Sequence, residues 1–143
     1  MTTVILENND TEKIMEHFIA YGYDDFIVFS KIDTEYYLLN KIKVIKLKGF
    51  EKENTREKLQ KIKGSLSRRF CVVYSSSIDK IDLEKMERFH NKHQCLTTLI
   101  EIEKRLCASV FEPELFDYLE NAESLEKEAL LKIAEDNELQ IYK

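Results

Sequence analysis

The chain has 143 residues, of which 43% are hydrophobic and 34% charged, and its net charge is −5. This composition is typical of one folded globular domain and excludes an intrinsically disordered chain. No apolar run is long enough to span a membrane and the first residues carry no basic leader, so we expect a cytoplasmic protein.

The first half of the chain predicts strands that alternate with helices. The predicted strands are 3–6, 26–29 and 44–47, and the predicted helices are 11–21, 33–39 and 54–62. In the first helix Ile14 and Phe18 are spaced for one helical face, with Asp10 as a candidate N-cap and Gly22 as a candidate C-cap. A candidate cap at Asp33 starts the second helix.

The second half continues the alternation. The predicted strands are 70–74, 96–102, 106–111 and 139–142, and the predicted helices are 82–93, 114–119 and 124–136. In the last helix Leu125, Leu130 and Ile133 face inward and Ser124 is the cap. We therefore expect one α/β domain over residues 1–143. It would be a Rossmann-like layered fold with a mostly parallel sheet flanked by helices, and the final strands could add antiparallel edges.

Glycine is too sparse for the common nucleotide-binding loops. The three glycines are Gly22, Gly49 and Gly64, and no two lie close together. Loops that bring backbone N–H groups to a phosphate usually need clustered glycine. A Walker loop and a Gly-x-Gly-x-x-Gly fingerprint are therefore excluded.

The cysteines and histidines suggest structural roles. Cys71, Cys95 and Cys107 lie in apolar stretches without metal-ligand spacing, which indicates buried, reduced thiols. A metal site at His90, His93 and Cys95 is the alternative. We favour histidines placed at a helix C-terminus by the helix dipole.

Charge is unevenly distributed. Residues 41–69 hold 11 Lys or Arg against 3 acidic residues, whereas the rest of the chain is acidic. A basic segment can bind phosphate or nucleic acid, but no RNA-binding or recognition-helix motif accompanies it. We interpret the lysines as a solvated strand edge and helix face, where they also discourage strand pairing.

Four stretches resemble bacterial sugar-1-phosphate nucleotidyltransferases, particularly the glucose-1-phosphate cytidylyl- and thymidylyltransferases. They are TVILENND, EKIMEHFIAYGYDDFIVF, FCVVYSSSIDKIDLEKMERFHNKHQCLTTLIEI and CASVFEPELFDYLENAESLEKEALLKIAEDNELQIYK. They cover most of residues 1–39 and 54–143. The last is the most specific, because it resembles a sugar-site strand, two helices and a closing strand in order.

The resemblance implies substrate-pocket positions at which this sequence departs from the family. The family's opening strand leads into a glycine-rich loop with an arginine, but here Glu7, Asn8 and Asn9 follow. Its central strand ends in Gly-Asp, whose carboxylate holds Mg²⁺. Here Ser75, Ser76 and Ser77 stand instead, and hydroxyls are poor substitutes for a carboxylate on a hard cation.

Two further departures lie in the second half. The family's sugar-site strand reads Asn-(Ala/Gly)-Gly, whereas this one reads Cys107, Ala108 and Ser109. The family then continues to a second metal-binding Asp, which we do not find before Lys143. We interpret the nine positions as vestigial, with no catalytic residue and no resident metal, and expect Mg²⁺ only if activity is retained.

Two other candidate chemistries are set aside. The serine run lacks a Gly-x-Ser-x-Gly context for a nucleophile, so a turn is the better interpretation. Glu126 and Glu128 lie two apart on a predicted helix and therefore on different faces, which is typical of a solvated helix.

The sequence thus leads to three hypotheses. The first is a truncated, degenerate nucleotidyltransferase-like protein, catalytically inactive, with a regulatory or protein-interaction role, including self-association. Its basic segment and acidic C-terminal region would suit such contacts. The alternatives are a nucleotide or sugar-phosphate binding module, or a residual transferase acting on a sugar-1-phosphate. We expect no membrane partner and do not favour nucleic acid.

Overall fold

The structure, a computed structural model, describes residues 1–143 and contains one seven-stranded sheet with helices on both faces. The strands are β1 (Thr2–Ile5), β2 (Asp25–Val28), β3 (Lys43–Lys46), β4 (Phe70–Val73), β5 (Thr97–Ile102), β6 (Arg105–Phe111) and β7 (Leu139–Tyr142). The helices are α1 (Thr11–Ala20), α2 (Glu35–Leu39), α3 (Thr55–Lys61), α4 (Leu83–His93), α5 (Leu115–Leu119) and α6 (Leu130–Glu135). The predicted α/β fold is therefore confirmed.

The strand order is β3-β2-β1-β4-β6-β5-β7. All neighbours run parallel except β6, which is antiparallel to both β4 and β5. The expectation of antiparallel edges is wrong, because the antiparallel strand lies inside the sheet. The cause is a two-residue hairpin between β5 and β6, in which Glu103 and Lys104 have φ values of 53° and 66°. Such positive φ pairs form the tight turns that join antiparallel strands.

The predicted helices are present, with local corrections. Asp10 stands at the N-cap position of α1, but its side chain makes no capping hydrogen bond. Helix α2 begins at Glu35, after Asp33 accepts a hydrogen bond from the Glu35 backbone at 3.0 Å. The last predicted helix begins with a π-helical turn over Leu125–Ala129, which continues into α6, and Ser124 caps it as expected.

The core forms two layers, one on each face of the sheet, because alternate strand residues point to opposite faces. Val4 and Phe70 pack under α3, α5 and α6, whereas Ile5 and Val73 pack under α1 and α4. The Phe70 ring lies 5.5 Å and 5.8 Å from the ring centroids of Phe111 and Phe116. The three cysteines are buried and free, as the sequence predicted. No helix has the length and apolarity needed to cross a bilayer.

Candidate functional site at the carboxyl edge of β1 and β4

The chain adds strands first on one side of β1 and then on the other, so the strand order reverses between β1 and β4. From β1 it proceeds outward through β2 to β3, then returns to place β4 on the other side of β1. In α/β sheets, ligands bind outside the carboxyl ends of strands at such a switch point. The loops after β1 and β4 hold six of the nine positions that the sequence singled out.

The other three positions, Cys107, Ala108 and Ser109, lie on β6 next to this edge. The backbone N–H groups of Tyr74 and Ser75 donate to the carbonyl of Cys107, at 2.9 Å and 3.2 Å. Ala108 and Ser109 continue inward, paired with Val73 and Val72. The structure therefore brings the start of this segment to the edge, while Ser109 lies deeper in the sheet.

The loop after β1 is held by its own hydrogen bonds. The Asn8 backbone N–H donates to the Ser30 hydroxyl at 3.1 Å, beyond the end of β2. The Asn8 side-chain amide oxygen accepts from the Asp10 N–H at 2.7 Å, and the Asn8 backbone carbonyl accepts from the Thr11 hydroxyl at 2.8 Å. Asn9 lines a shallow concavity of about 270 Å³ beside these residues and Lys31. The loop is thus fixed to β2 and to the start of α1 without glycine.

Glu7, the first residue of this loop, forms an ion pair with a buried lysine. The Lys58 Nζ atom lies 3.4 Å from a Glu7 carboxylate oxygen, and the two side chains are 11% and 43% exposed. The ammonium also lies 5.6 Å from the centroid of the Phe29 ring. The edge of β1 therefore holds a buried cation that is already neutralised by a carboxylate of the same chain.

Lys58 corrects the interpretation of the basic segment as solvated throughout. It belongs to α3, and Leu59 of this helix and Ile62 just after it enter the core. A signal was present, because Lys58 precedes Ile62 by four residues and so shares its helix face. The sequence reading missed it because lysine is rarely buried.

The serines after β4 form a self-bonded turn, as expected. The Ser75 hydroxyl accepts from the Ser77 N–H at 3.2 Å and lies 2.9 Å from the Ser77 hydroxyl. A 3₁₀ turn over Ser76–Lys80 follows. These neutral oxygens do not suit Mg²⁺, which binds through carboxylates and phosphates, and we derive no step through that ion.

The β6 positions are buried. Cys107, Ala108 and Ser109 are at most 1% exposed. Burial raises the pKa of the Cys107 thiol to about 11, and the nearby Ser77 hydroxyl counteracts only part of that rise. At neutral pH this thiol is protonated and is a poor nucleophile.

Tyr74 and Ser109 carry two buried hydroxyls without ordinary hydrogen bonds. Burial raises the pKa of Tyr74, and the Ser109 hydroxyl is close enough to oppose part of that rise. Even so, neither oxygen has a hydrogen-bond partner of normal geometry in the protein. Since buried polar atoms are usually satisfied, these two hydroxyls are exceptions close to the candidate site.

The histidine and cysteine group lies at the opposite end of the sheet. His90 is 1% exposed, its Nε2 lies 2.6 Å from Glu112, and its Nδ1 lies 2.7 Å from the Thr98 hydroxyl. Burial lowers the pKa of His90, and the hydrogen bond to Glu112 offsets only part of this. The neutral ring therefore donates from Nε2 and accepts at Nδ1.

This geometry corrects the dipole explanation for His90, since a neutral ring gains little from a helix C-terminus. His93 is exposed and bonds the Phe89 carbonyl at 2.8 Å. No group of three or more His, Cys, Asp and Glu side chains is arranged to hold a metal ion. Glu126 and Glu128 are both exposed, as predicted for a solvated helix.

Searches by sequence find no matching family model and no matching curated protein. Solved structures do match. A Bacillus anthracis protein named as a glucose-1-phosphate thymidylyltransferase, in complex with a sucrose, has a TM-score of 0.61 at 7% identity, over 99% of this chain and 86% of its own. HddC from Yersinia pseudotuberculosis, complexed with GMP-PN, has a TM-score of 0.63 at 11% identity, over 99% and 89%.

A third structure agrees with these two. A nucleotide-diphospho-sugar transferase-like protein from Desulfovibrio desulfuricans has a TM-score of 0.55 at 12% identity, over 99% of this chain and 79% of its own. The chain therefore has a nucleotidyltransferase-type fold. At these identities the likeness is one of fold alone.

Proposed function

We propose that this protein keeps the nucleotidyltransferase fold without transferring nucleotides, and that it acts through contacts with protein chains. The observation that carries the proposal is the ion pair between Glu7 and Lys58. It lies at the edge where the resemblance places the phosphate-binding loop of active transferases. The Glu7 carboxylate already pairs with Lys58, the cation that a bound triphosphate would need.

A carboxylate at this edge opposes the binding of a phosphate. Nucleotidyl transfer builds negative charge on the phosphate oxygens, which catalysts offset with cations and N–H donors. Glu7 contributes the opposite charge and is 43% exposed at the edge. Phosphate binding is therefore opposed unless Glu7 is displaced or protonated.

The turn after β4 supports the same proposal. Ser75 and Ser77 bond each other, and none of the three residues Ser75, Ser76 and Ser77 carries a carboxylate. The resemblance implies a carboxylate here that would hold Mg²⁺ in an active transferase. Without it, the negative charge of the transition state would lack the stabilisation that the metal ion supplies.

The direct test measures binding and turnover together. Thermal shifts are recorded with CTP, dTTP, UTP, ATP and GTP, each with Mg²⁺ and with or without glucose-1-phosphate. GTP and the sugar phosphate are included because of the names and ligands of the structural neighbours. A ligand present at 100 times its Kd would add about 2.7 kcal/mol of stability. We expect no shift and no pyrophosphate release, whereas Mg²⁺-dependent release of pyrophosphate would refute the proposal.

A nucleotide or sugar-phosphate binding module is the second candidate function. It is favoured by the buried Lys58 ammonium and by the unsatisfied hydroxyls of Tyr74 and Ser109. In that case a phosphate would replace Glu7 as the partner of Lys58. Glu7→Gln should then strengthen binding, and Glu7→Gln combined with Lys58→Met should abolish it. Binding with this pattern and without turnover would favour the second candidate over the first.

A further inference from the structure

A cysteine, a histidine and a glutamate form one cluster at the end of the sheet opposite the candidate site. The Cys95 Sγ atom lies 4.0 Å from His90 Nδ1, and His90 Nε2 lies 2.6 Å from a Glu112 carboxylate oxygen. A nucleophile, a base within reach of it and a third group that orients the base are the arrangement that activates side chains for attack. Neither candidate function above uses this cluster.

The Thr98 hydroxyl connects the thiol to the histidine. Its oxygen lies 3.4 Å from Cys95 Sγ and 2.7 Å from His90 Nδ1. Since the neutral ring donates from Nε2 to Glu112, Nδ1 is the nitrogen that accepts a proton. The thiol proton therefore has a route to Nδ1 through the Thr98 hydroxyl, and the imidazolium that forms faces the Glu112 carboxylate.

The chain turns sharply after α4 and so brings Cys95 back to His90. Gln94 follows the helix with φ of 47° and ψ of 38°, in the left-handed region. A left-handed residue commonly ends a helix, but the conformation is uncommon for residues other than glycine. The turn at Gln94 places Cys95 against the ring of a residue in the preceding turn of the helix.

Cys95 borders an opening with acidic walls. It is 6% exposed, and the concavity of about 210 Å³ beside it is also lined by Glu112, Glu114 and Glu138. Arg69, which pairs with Glu112, is the one cation bonded to any of these carboxylates. The opening therefore favours the approach of a positively charged molecule and repels an anionic one.

The acidic walls do not suit acyl transfer. The intermediate of acyl transfer carries an oxyanion, which needs N–H donors aimed at it. The backbone N–H of Leu96, the residue after Cys95, is already bonded to the Glu138 carboxylate at 3.1 Å. An oxyanion at this place would meet carboxylates, whereas the exchange of a thiol with a disulfide forms no oxyanion.

We propose that Cys95 is a nucleophilic thiol that exchanges with small cationic disulfides, with His90 as its base and Glu112 orienting that base. The S–H bond of Cys95 breaks, its proton passes to His90, and the sulfur attacks one sulfur of the disulfide. The S–S bond of the disulfide breaks, and the departing thiolate takes the proton from His90. The products are a mixed disulfide on Cys95 and one small thiol. This inference goes beyond the proposed function and holds whether or not nucleotides bind.

Two reagents of opposite charge test the substrate class on the full chain. Cystamine and dithiodipropionate have the same chain length, and mass spectrometry after digestion identifies the modified cysteine. Each rate on the folded protein is divided by the rate of the same reagent on the chain unfolded in urea. We expect modification of Cys95 alone and a preference for cystamine of about tenfold after this correction. No remaining preference, or modification of Cys71 or Cys107 as fast as Cys95, overturns the proposal.

A matched pair of variants at Thr98 tests the proton route. Thr98→Val removes the hydroxyl and keeps the shape of the side chain, whereas Thr98→Ser keeps the hydroxyl. At neutral pH Thr98→Val and His90→Gln should each slow the reaction of Cys95 with cystamine by about 100-fold, the lower end of what a positioned base contributes. Thr98→Ser should react like the wild type. A loosened structure would expose the thiol and speed its reaction, so slowing is not a packing effect.

The pH profile separates the loss of a base from the loss of access. In Thr98→Val and His90→Gln the rate should recover as the pH rises, because the thiolate then forms without His90. The charged groups that face His90 are Glu112, Arg69 and Glu87, and none of them is altered in these variants. Circular dichroism confirms that each variant folds. A Thr98→Val variant as fast as the wild type, or one equally slow at every pH, overturns the assignment of the base.

Discussion

The Nε2 atom of His90 lies 2.6 Å from the carboxylate of Glu112, although the histidine side chain is only 1% exposed. The same carboxylate oxygen accepts from Arg69 Nε at 2.6 Å. The contact joins α4 to the chain just after β6 and to the residue before β4. A neutral, buried histidine held in this way makes stability depend on pH.

The free energy of unfolding should decrease as the pH falls below about 6.5. Burial lowers the pKa of His90 in the folded protein below its ordinary value of 6.5. Below that value the unfolded chain binds a proton that the folded chain does not yet bind, so protonation favours unfolding. The stability that the neutral His90 contributes is fully present above pH 6.5. It is lost progressively as the pH falls toward the pKa of His90 in the folded protein. Urea unfolding across this range measures it, and an NMR titration of the ring checks the pKa directly.

His90→Gln should remove this contribution to the pH slope and lower stability by about 1–3 kcal/mol, because a buried hydrogen-bond network is broken. His93→Gln is the matched control, since His93 is exposed on the same helix. An unchanged slope in His90→Gln would show that another group titrates.

The Glu7 and Lys58 pair should respond asymmetrically to substitution. Glu7→Gln leaves a buried ammonium without its charged partner and should cost about 1–2 kcal/mol, since Glu7 is 43% exposed and its charge partly screened. Lys58→Met keeps the apolar stem and removes the buried charge, so we expect a change below about 1 kcal/mol. Chemical denaturation of both variants tests this, and equal costs would contradict the burial argument.

The three thiols should react in a defined order. Cys71 and Cys107 are 0% and 1% exposed, and burial raises the pKa of both thiols. Cys95 is 6% exposed and borders a concavity of about 210 Å³. Since the thiolate is the reacting form, an aromatic disulfide reagent should label Cys95 first and the other two only on unfolding. Cys95→Ser should remove the early phase, and early labelling in that variant would contradict the prediction.

Phe70 should be a major determinant of stability. It is 0% exposed and packs against Phe111 and Phe116. Phe70→Ala should lower the free energy of unfolding by about 3–5 kcal/mol, from lost burial and the cavity left behind. Leu131→Ala, at a site that is 61% exposed, should change it by less than about 0.5 kcal/mol. Urea denaturation of the two variants makes the comparison.

Helix boundaries followed from local signals in the sequence. Asn54 forms the capping box of α3 with Glu57, and Asp82 and Ser124 cap the segments that follow them. These interactions span three residues, so they can be read without knowing the fold. Asp10 was expected to cap α1 in the same way, but its side chain forms no such bond.

The sequence by itself determined the alternation of strands and helices, because apolar spacing and caps act over a few residues. It also excluded a glycine-rich phosphate loop. Only the tertiary structure decided that β6 lies inside the sheet, that Lys58 reaches Glu7, and that Glu112 contacts His90. Each of these depends on which distant faces meet when the sheet forms, and a single sequence carries no local pattern for such long-range pairings.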